Sequence, residues 1–196
     1  MHKASVDRRE FVRAAFGVLA TAQGGFLLAA DCPRTPSNIA GPYWRPGAPF
    51  RDRLHAGEPG QAIVVSGHVT GAANCRPLSE VVLDVWQADG KGYYDSDHAG
   101  FDPAKFSLRG RVKTDSNGFY QFETVKPAPY GSANSFRPAH IHFRITEPNQ
   151  EPFVTQLYFA GDPYLKSDPL RQVRDSLVTT PVKKGSALVC RFDVTL

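Results

Sequence analysis

The chain has 196 residues, 41% hydrophobic and 21% charged, which is enough for one sizeable buried core. Its formal net charge of +4 includes an N-terminal cluster of Lys3, Arg8, Arg9 and Arg13, while the other bases are interspersed with acids. There is no basic stripe, and the aromatic residues do not alternate with one, which argues against a nucleic-acid partner.

Residues 1–30 read as a twin-arginine-type signal segment. "VDRREFVRAAFGVLATAQGGFLLAA" opens around Arg8-Arg9, runs through a mildly apolar stretch broken by Gly and Gln, and ends in small residues near Ala29-Ala30. The stretch is too short and interrupted for a membrane span, and Asp31 directly before Cys32 disfavours a lipid anchor. The mature chain is therefore expected to be exported, periplasmic or secreted, with no stable membrane anchor. Residues 31–196 are expected to form one domain. Cys32, Cys75 and Cys190 allow at most one internal disulfide and leave one thiol over. Cys190 alternates with Leu188, Phe192, Val194 and Leu196 and reads as a buried, inert thiol.

After the signal, apolar or alternating runs follow in order: "AIVVSGHVT", "EVVLDVWQA", "SLRGRVKT", "GFYQFETV", "AHIHFRIT", "FVTQLYFAG" and "ALVCRFDVTL". Each is bounded by Gly, Pro, Asn, Asp or Ser, so the chain is expected to be all-β, a sandwich or barrel. Alternation is lost between Asp162 and Ser176, where a short helix or irregular connection is expected.

In "AHIHFRIT" a period of two puts Ile141, Phe143 and Ile145 on one face and His140, His142 and Arg144 on the other. Two imidazoles at i and i+2 point the same way, so one ion can touch both. The same spacing also suits a solvent-facing pair on an edge strand. Common zinc patterns are missing, with no Cys-x-x-Cys and no His-Glu-x-x-His. Carboxylates at Asp95, Asp97, Glu123 and Glu147 are one source of further ligands. Tyrosine is another, because a phenolate is a hard anionic donor that favours ferric iron. No Gly-rich dinucleotide turn is found, so neither a nicotinamide nor a flavin is expected.

"GPYWRPGAPFR", "LDVWQADGKGYYD", "KPAPYGSANSFRPAHIHF" and "FVTQLYF", in that order, resemble the intradiol ring-cleavage dioxygenases, the group of catechol 1,2-dioxygenase and protocatechuate 3,4-dioxygenase. The resemblance runs from about Gly41 to the C-terminus. It implies a β-sandwich with long active-site loops and non-haem Fe(III) held by Tyr94, Tyr130, His140 and His142. Tyr94 is matched in preference to Tyr93, since it follows a Trp-Gln-Ala strand end and a Gly-rich turn. Tyr130 belongs to the Pro-x-Pro-Tyr turn and matches the tyrosine that moves aside and takes a substrate proton. Arg137 matches the family's active-site arginine, and Gln156 a glutamine lining the same pocket. The implied reaction is cleavage of a catechol-type ring by O2 to a cis,cis-muconate-type diacid, with the small-molecule catechol and O2 as partners. By this resemblance the long helical N-terminal region of the catechol 1,2-dioxygenases has no counterpart in the 196 residues, and any homo-oligomer is expected to be built differently.

Two other readings remain at this point. One is a non-catalytic, transthyretin-like β-sandwich binding module; the other is a cupin-like divalent-metal enzyme using His140 and His142 with a carboxylate or third histidine. Trp86 reads as packing, Asp84 and Asp89 as turn or edge residues, and His55, His68 and His98 as non-ligands. Lys91 and Lys105 are candidates for binding a substrate carboxylate.

Overall fold

The computed structural model describes residues 32–132 and 135–196, and the signal-like segment 1–30 lies outside the described residues. Period-two alternation becomes strand where the sequence places it. The matching strands are β1 (Ala62–Thr70), β2 (Val82–Gln87), β3 (Arg109–Lys113), β4 (Phe119–Val125), β7 (His140–Thr146) and β8 (Phe153–Phe159). Four short strands have no signal in the alternation: the hairpin β5 (Tyr130–Ser132) and β6 (Ser135–Arg137), then β9 (Val178–Thr179) and β10 (Val182–Lys184). The stretch 162–176 is irregular and leads into one 3-10 turn, Asp175–Leu177.

The C-terminal run is two strands where the sequence suggests one, β11 (Ala187–Arg191) and β12 (Val194–Thr195). Both lie parallel to β1 in an unchanged register, Val65 opposite Cys190 and Val69 opposite Val194. The ladder breaks between them because the His68 N–H is taken by the Asp193 carboxylate at 2.9 Å. Gly67 admits the close approach, since a Cβ there would lie 1.9 Å from Phe192 O. Cys190 is buried and free, and the other two cysteines form the Cys32–Cys75 disulfide.

One sheet runs β10-β11-β1-β12 with β4 on the other side of β1; the second runs β3-β2-β7-β8-β9. They pack face to face as a β-sandwich, Phe143 of β7 lying 6.0 Å from Phe122 and 5.2 Å from Phe192 between ring centroids. Each such fully buried apolar side chain contributes about 1.5–3 kcal/mol. The remaining face of the second sheet carries the polar half of the alternation. Cross-strand register places Arg109 opposite Trp86, Trp86 opposite His142, and His142 opposite Gln156. Loops before β1 and between β2 and β3 cover this face, so its polar residues are buried too. Asp84 is therefore neither a turn nor an edge residue. It sits mid-strand in β2, buried, accepting a 3.2 Å bond from the Trp44 indole, and burial raises its pKa.

Candidate active site

His140 and His142 are 2% and 1% exposed, so the pair is not a solvent-facing one. Their Nε2 atoms face each other at 3.1 Å. The Nδ1 of His140 bonds Pro138 O at 2.7 Å, which assigns its proton to Nδ1 and leaves Nε2 a lone pair. His142 stacks on Trp86, with centroids 4.6 Å apart and planes 5° from parallel. Burial first, then the Arg137 charge, pushes the His140 pKa down to about 3. Burial, then His140 and Arg137, takes His142 well below its usual value. Both rings are thus neutral near pH 7, the form that ligates metals.

The tyrosines arrive through a turn that β2 feeds directly. The Asp89 carboxylate accepts from Lys91 N at 2.8 Å and Tyr93 N at 3.0 Å, closing the turn. Its backbone carbonyl accepts from Ala128 N at 2.9 Å, tying the turn to the Pro-rich segment that precedes Tyr130. Gly92, at φ +88°, allows this contact, because a Cβ there would lie 2.6 Å from Pro129 O. Tyr94 is consequently buried, and its ring lies 5.4 Å from that of Tyr130, almost perpendicular at 84°. Tyr130 is 5.5 Å from His140 and Tyr94 6.5 Å from His142, again between centroids. Tyr93 stays outside at 52% exposure. The Tyr94 hydroxyl is buried beside Tyr130, with no hydrogen bond of good geometry among the described residues. Burial, then the neighbouring Tyr130, raises its pKa well above the ordinary phenol value.

Arg137 closes the group. Its Nη1 is 3.3 Å from His140 Nε2, and its Nη2 donates to Gln156 Oε1 at 3.1 Å and Tyr158 Oη at 3.3 Å. Asp168 accepts from Nε at 3.3 Å. Burial lowers the guanidinium pKa, but Tyr158, Tyr130 and Asp168 outweigh it and the net shift is upward. Gln156 is itself fixed, donating to Ile39 O at 2.7 Å and accepting from Tyr158 Oη at 2.7 Å.

The fold thus gathers Tyr94, Tyr130, Arg137, His140, His142 and Gln156 in one place. It adds residues that sequence reasoning missed. Tyr158 shares a face with Gln156 at i+2, a signal the alternation already contained. Tyr43 and Asp168 come from irregular segments and carry no such signal; Tyr43 stacks on Tyr94 with centroids 3.8 Å apart and planes 6° from parallel. Trp86 does pack, and it packs on a histidine of the site. His68 and His98 lie near Asp193 and Asp89, at 3.8 and 3.6 Å. Lys91 is exposed, and the Lys105 ammonium pairs with Asp102 at 3.8 Å, so neither joins the group.

Two neutral imidazoles with their Nε2 atoms facing each other and two phenols, that of Tyr94 buried, fit ferric iron, since a cation placed against Tyr94 reverses the effect of burial and stabilises its phenolate. The cupin-like alternative needs a carboxylate or third histidine beside the pair. Among the described residues no group of three or more His, Cys, Asp or Glu is placed to hold a metal. The pair is bordered by phenols, an indole and a guanidinium.

The family model described as "Dioxygenase" matches residues 39–196. The chain is 36% identical over 174 residues to chlorocatechol 1,2-dioxygenase of Rhodococcus opacus, covering 76% of this chain and 65% of that protein. It is 39% identical over 164 residues to the protocatechuate 3,4-dioxygenase beta chain of Burkholderia cepacia, covering 74% and 69%. Among solved structures, the dioxygenase domain of a dioxygenase and carbohydrate-binding protein fusion from Streptomyces sp. SirexAA-E matches with a TM-score of 0.72 at 34% identity, over 84% of this chain and 98% of that one. The chain spans about three fifths of the length of the chlorocatechol and catechol 1,2-dioxygenases it matches. With its ordered motifs, its sandwich and the side chains gathered on one sheet face all pointing the same way, the chain belongs to the intradiol ring-cleavage dioxygenase family.

Proposed function

We propose that the protein is an intradiol ring-cleavage dioxygenase that opens a catechol-type ring with O2 to a cis,cis-muconate-type diacid. The observation that carries this reading is the meeting of Tyr94, Tyr130, His140 and His142 beside the buried Arg137. These four residues would hold non-haem Fe(III). When bound, ferric iron supplies the Lewis acidity that accepts a catechol as its dianion and makes the ring reactive toward O2.

The chain's own groups do the rest. Tyr130 is only half-buried, whereas Tyr94 is fully enclosed, so Tyr130 is the tyrosine with room to swing and to accept a catechol proton at its Oη. The Arg137 guanidinium, held at Nε by Asp168 and at Nη2 by Gln156 and Tyr158, is a preorganised cation for negative charge developing on the substrate. The segment around Ile39 and Gly41 walls the site. A Cβ at Gly41 would lie 3.6 Å from His142 Cε1, so this backbone runs directly over the imidazole.

The deciding measurement is the visible spectrum and iron content of the aerobically purified protein, before and after catechol addition without O2. A broad tyrosinate band that moves to longer wavelength on adding catechol is expected. A protein that stays colourless and metal-free after iron reconstitution overturns the reading in favour of a binding module.

Export through the twin-arginine route is part of the same proposal. Arg8 and Arg9 support it, and so does the Cys32–Cys75 disulfide, since such bonds persist in oxidising compartments. Replacing Arg8 and Arg9 together by Lys should retain the protein in the cytoplasm; unchanged export removes this assignment.

A further inference from the structure

We infer that Arg109 is a positioning residue for the tyrosine half of the site, an inference that rests on the dioxygenase reading and extends it. Arg109 lies on β3 with its side chain 2% exposed. Its Nε and Nη2 donate to the two oxygens of Asp95 at 2.8 and 2.7 Å, and its Nη1 donates to Tyr43 O at 2.5 Å. One guanidinium therefore grips two separate loops. The first carries Tyr94 immediately before Asp95, and the second carries Tyr43, whose ring lies flat on Tyr94.

The grip reaches the Tyr94 backbone through the turn that follows it. The turn after Tyr94 closes back on it, Tyr94 N donating to Asp97 Oδ2 at 2.8 Å and Asp97 N to Tyr94 O at 2.9 Å. On the neighbouring strand, Trp86 stands opposite Arg109 and stacks on His142. A single cross-strand step thus relates the support of Tyr94 to the support of His142, and so sets where the phenol oxygen stands relative to the imidazole. Arg45, itself part of the Tyr43 loop, also pairs with Asp95, but from a more exposed side and with Pro103 O and Lys105 O as its other acceptors; it adds a second tie between the loops and leaves the Tyr43 carbonyl to Arg109. A lysine at 109 would keep the charge and lose the fork, because one ammonium cannot serve both Asp95 oxygens and the Tyr43 carbonyl in this geometry.

The test compares Arg109→Lys and Asp95→Asn with Arg111→Lys, a change on the same strand and face at an arginine whose side chain donates to Ala48 O and lies over Phe50, and bonds neither Asp95 nor the Tyr43 carbonyl. Each protein is loaded with ferric iron, and the affinity is read by chelator competition together with the tyrosinate absorption band. Arg109→Lys and Asp95→Asn should bind iron about 10–100-fold more weakly with a displaced band, the scale seen when support of a metal ligand is lost. Arg111→Lys should keep the wild-type affinity and band. In the metal-free protein, the near-ultraviolet circular dichroism change of Arg109→Lys should reproduce that of Tyr43→Leu, since both undo the stacked ring pair.

A folded Arg109→Lys protein with wild-type band and affinity overturns the inference, as does an equal effect from Arg111→Lys. If Arg109→Lys does not fold, Asp95→Asn carries the same comparison. If the wild-type protein takes up no ferric iron, the dioxygenase reading fails by itself, and the dichroism still decides: no change in Arg109→Lys overturns its hold on the ring pair.

Discussion

The Nε2 atoms of His140 and His142 face each other at 3.1 Å inside the protein, each ring backed by a different support: a backbone carbonyl for His140, the Trp86 indole for His142. That arrangement sets two neutral imidazoles nitrogen to nitrogen, where one cation can bind both. His142→Ala should therefore weaken ferric iron binding by at least about 100-fold, the upper end of what losing a mere supporting partner costs. Iron retained after dialysis against a weak chelator checks it.

Tyr130→Phe separates chemistry from folding. Its ring is half-buried and keeps its edge contact to Tyr94 and its tilted contact to His140 without the hydroxyl. Stability should change by no more than about 1 kcal/mol. Turnover should fall about 100-fold or more, the usual worth of a positioned proton acceptor. Steady-state ring cleavage beside a thermal melt measures both; unchanged turnover removes Tyr130 from the proton-transfer role.

Acid should unfold the metal-free protein early. The His140 pKa is about 3 in the fold against 6.5 for the free side chain, and that of His142 is also depressed. The unfolded chain therefore binds more protons below 6.5. The His140 contribution is complete above that pH and declines as pH falls toward about 3, by up to about 1.4 kcal/mol per pH unit, and His142 acts in the same direction. Urea midpoints of the metal-free protein between pH 8 and 4 should fall steadily below 6.5, and His142→Phe should flatten the slope. A midpoint independent of pH contradicts the buried neutral pair.

Gly92→Ala attacks the meeting of the two tyrosine segments. The new Cβ would lie 2.6 Å from Pro129 O at a backbone φ of +88°. The cost should be about 2–4 kcal/mol from the clash and left-handed strain together. Because the strain sits between Tyr94 and Tyr130, the tyrosinate band should shift in the folded fraction. The neighbouring exposed Lys91→Ala should leave both melt and band unchanged.

Much of this molecule is legible from residue order alone. Period-two alternation locates the main strands because a strand's two faces meet different environments, and "AHIHFRIT" already sorts Ile141, Phe143 and Ile145 from His140, His142 and Arg144. The ordered motifs name the family, and they select Tyr94 over its neighbour Tyr93, which the structure leaves outside. Asp84 shows where the rule stops. The sequence places Asp84 at a turn or edge, yet loops cover that face and bury it together with Arg109, Trp86 and the histidines.

What the residue order determined is the main strands, the two faces of each, and the chemistry of the donors, all set by contacts along a few residues of chain. Only tertiary structure decided which loops cover the polar face, that Tyr43 lies flat on Tyr94, and that Arg109 and Asp168 clamp opposite sides of the site. Those contacts join residues 51, 66 and 31 positions apart, through hydrogen bonds and ring stacks that need exact placement and leave no periodic trace in the sequence.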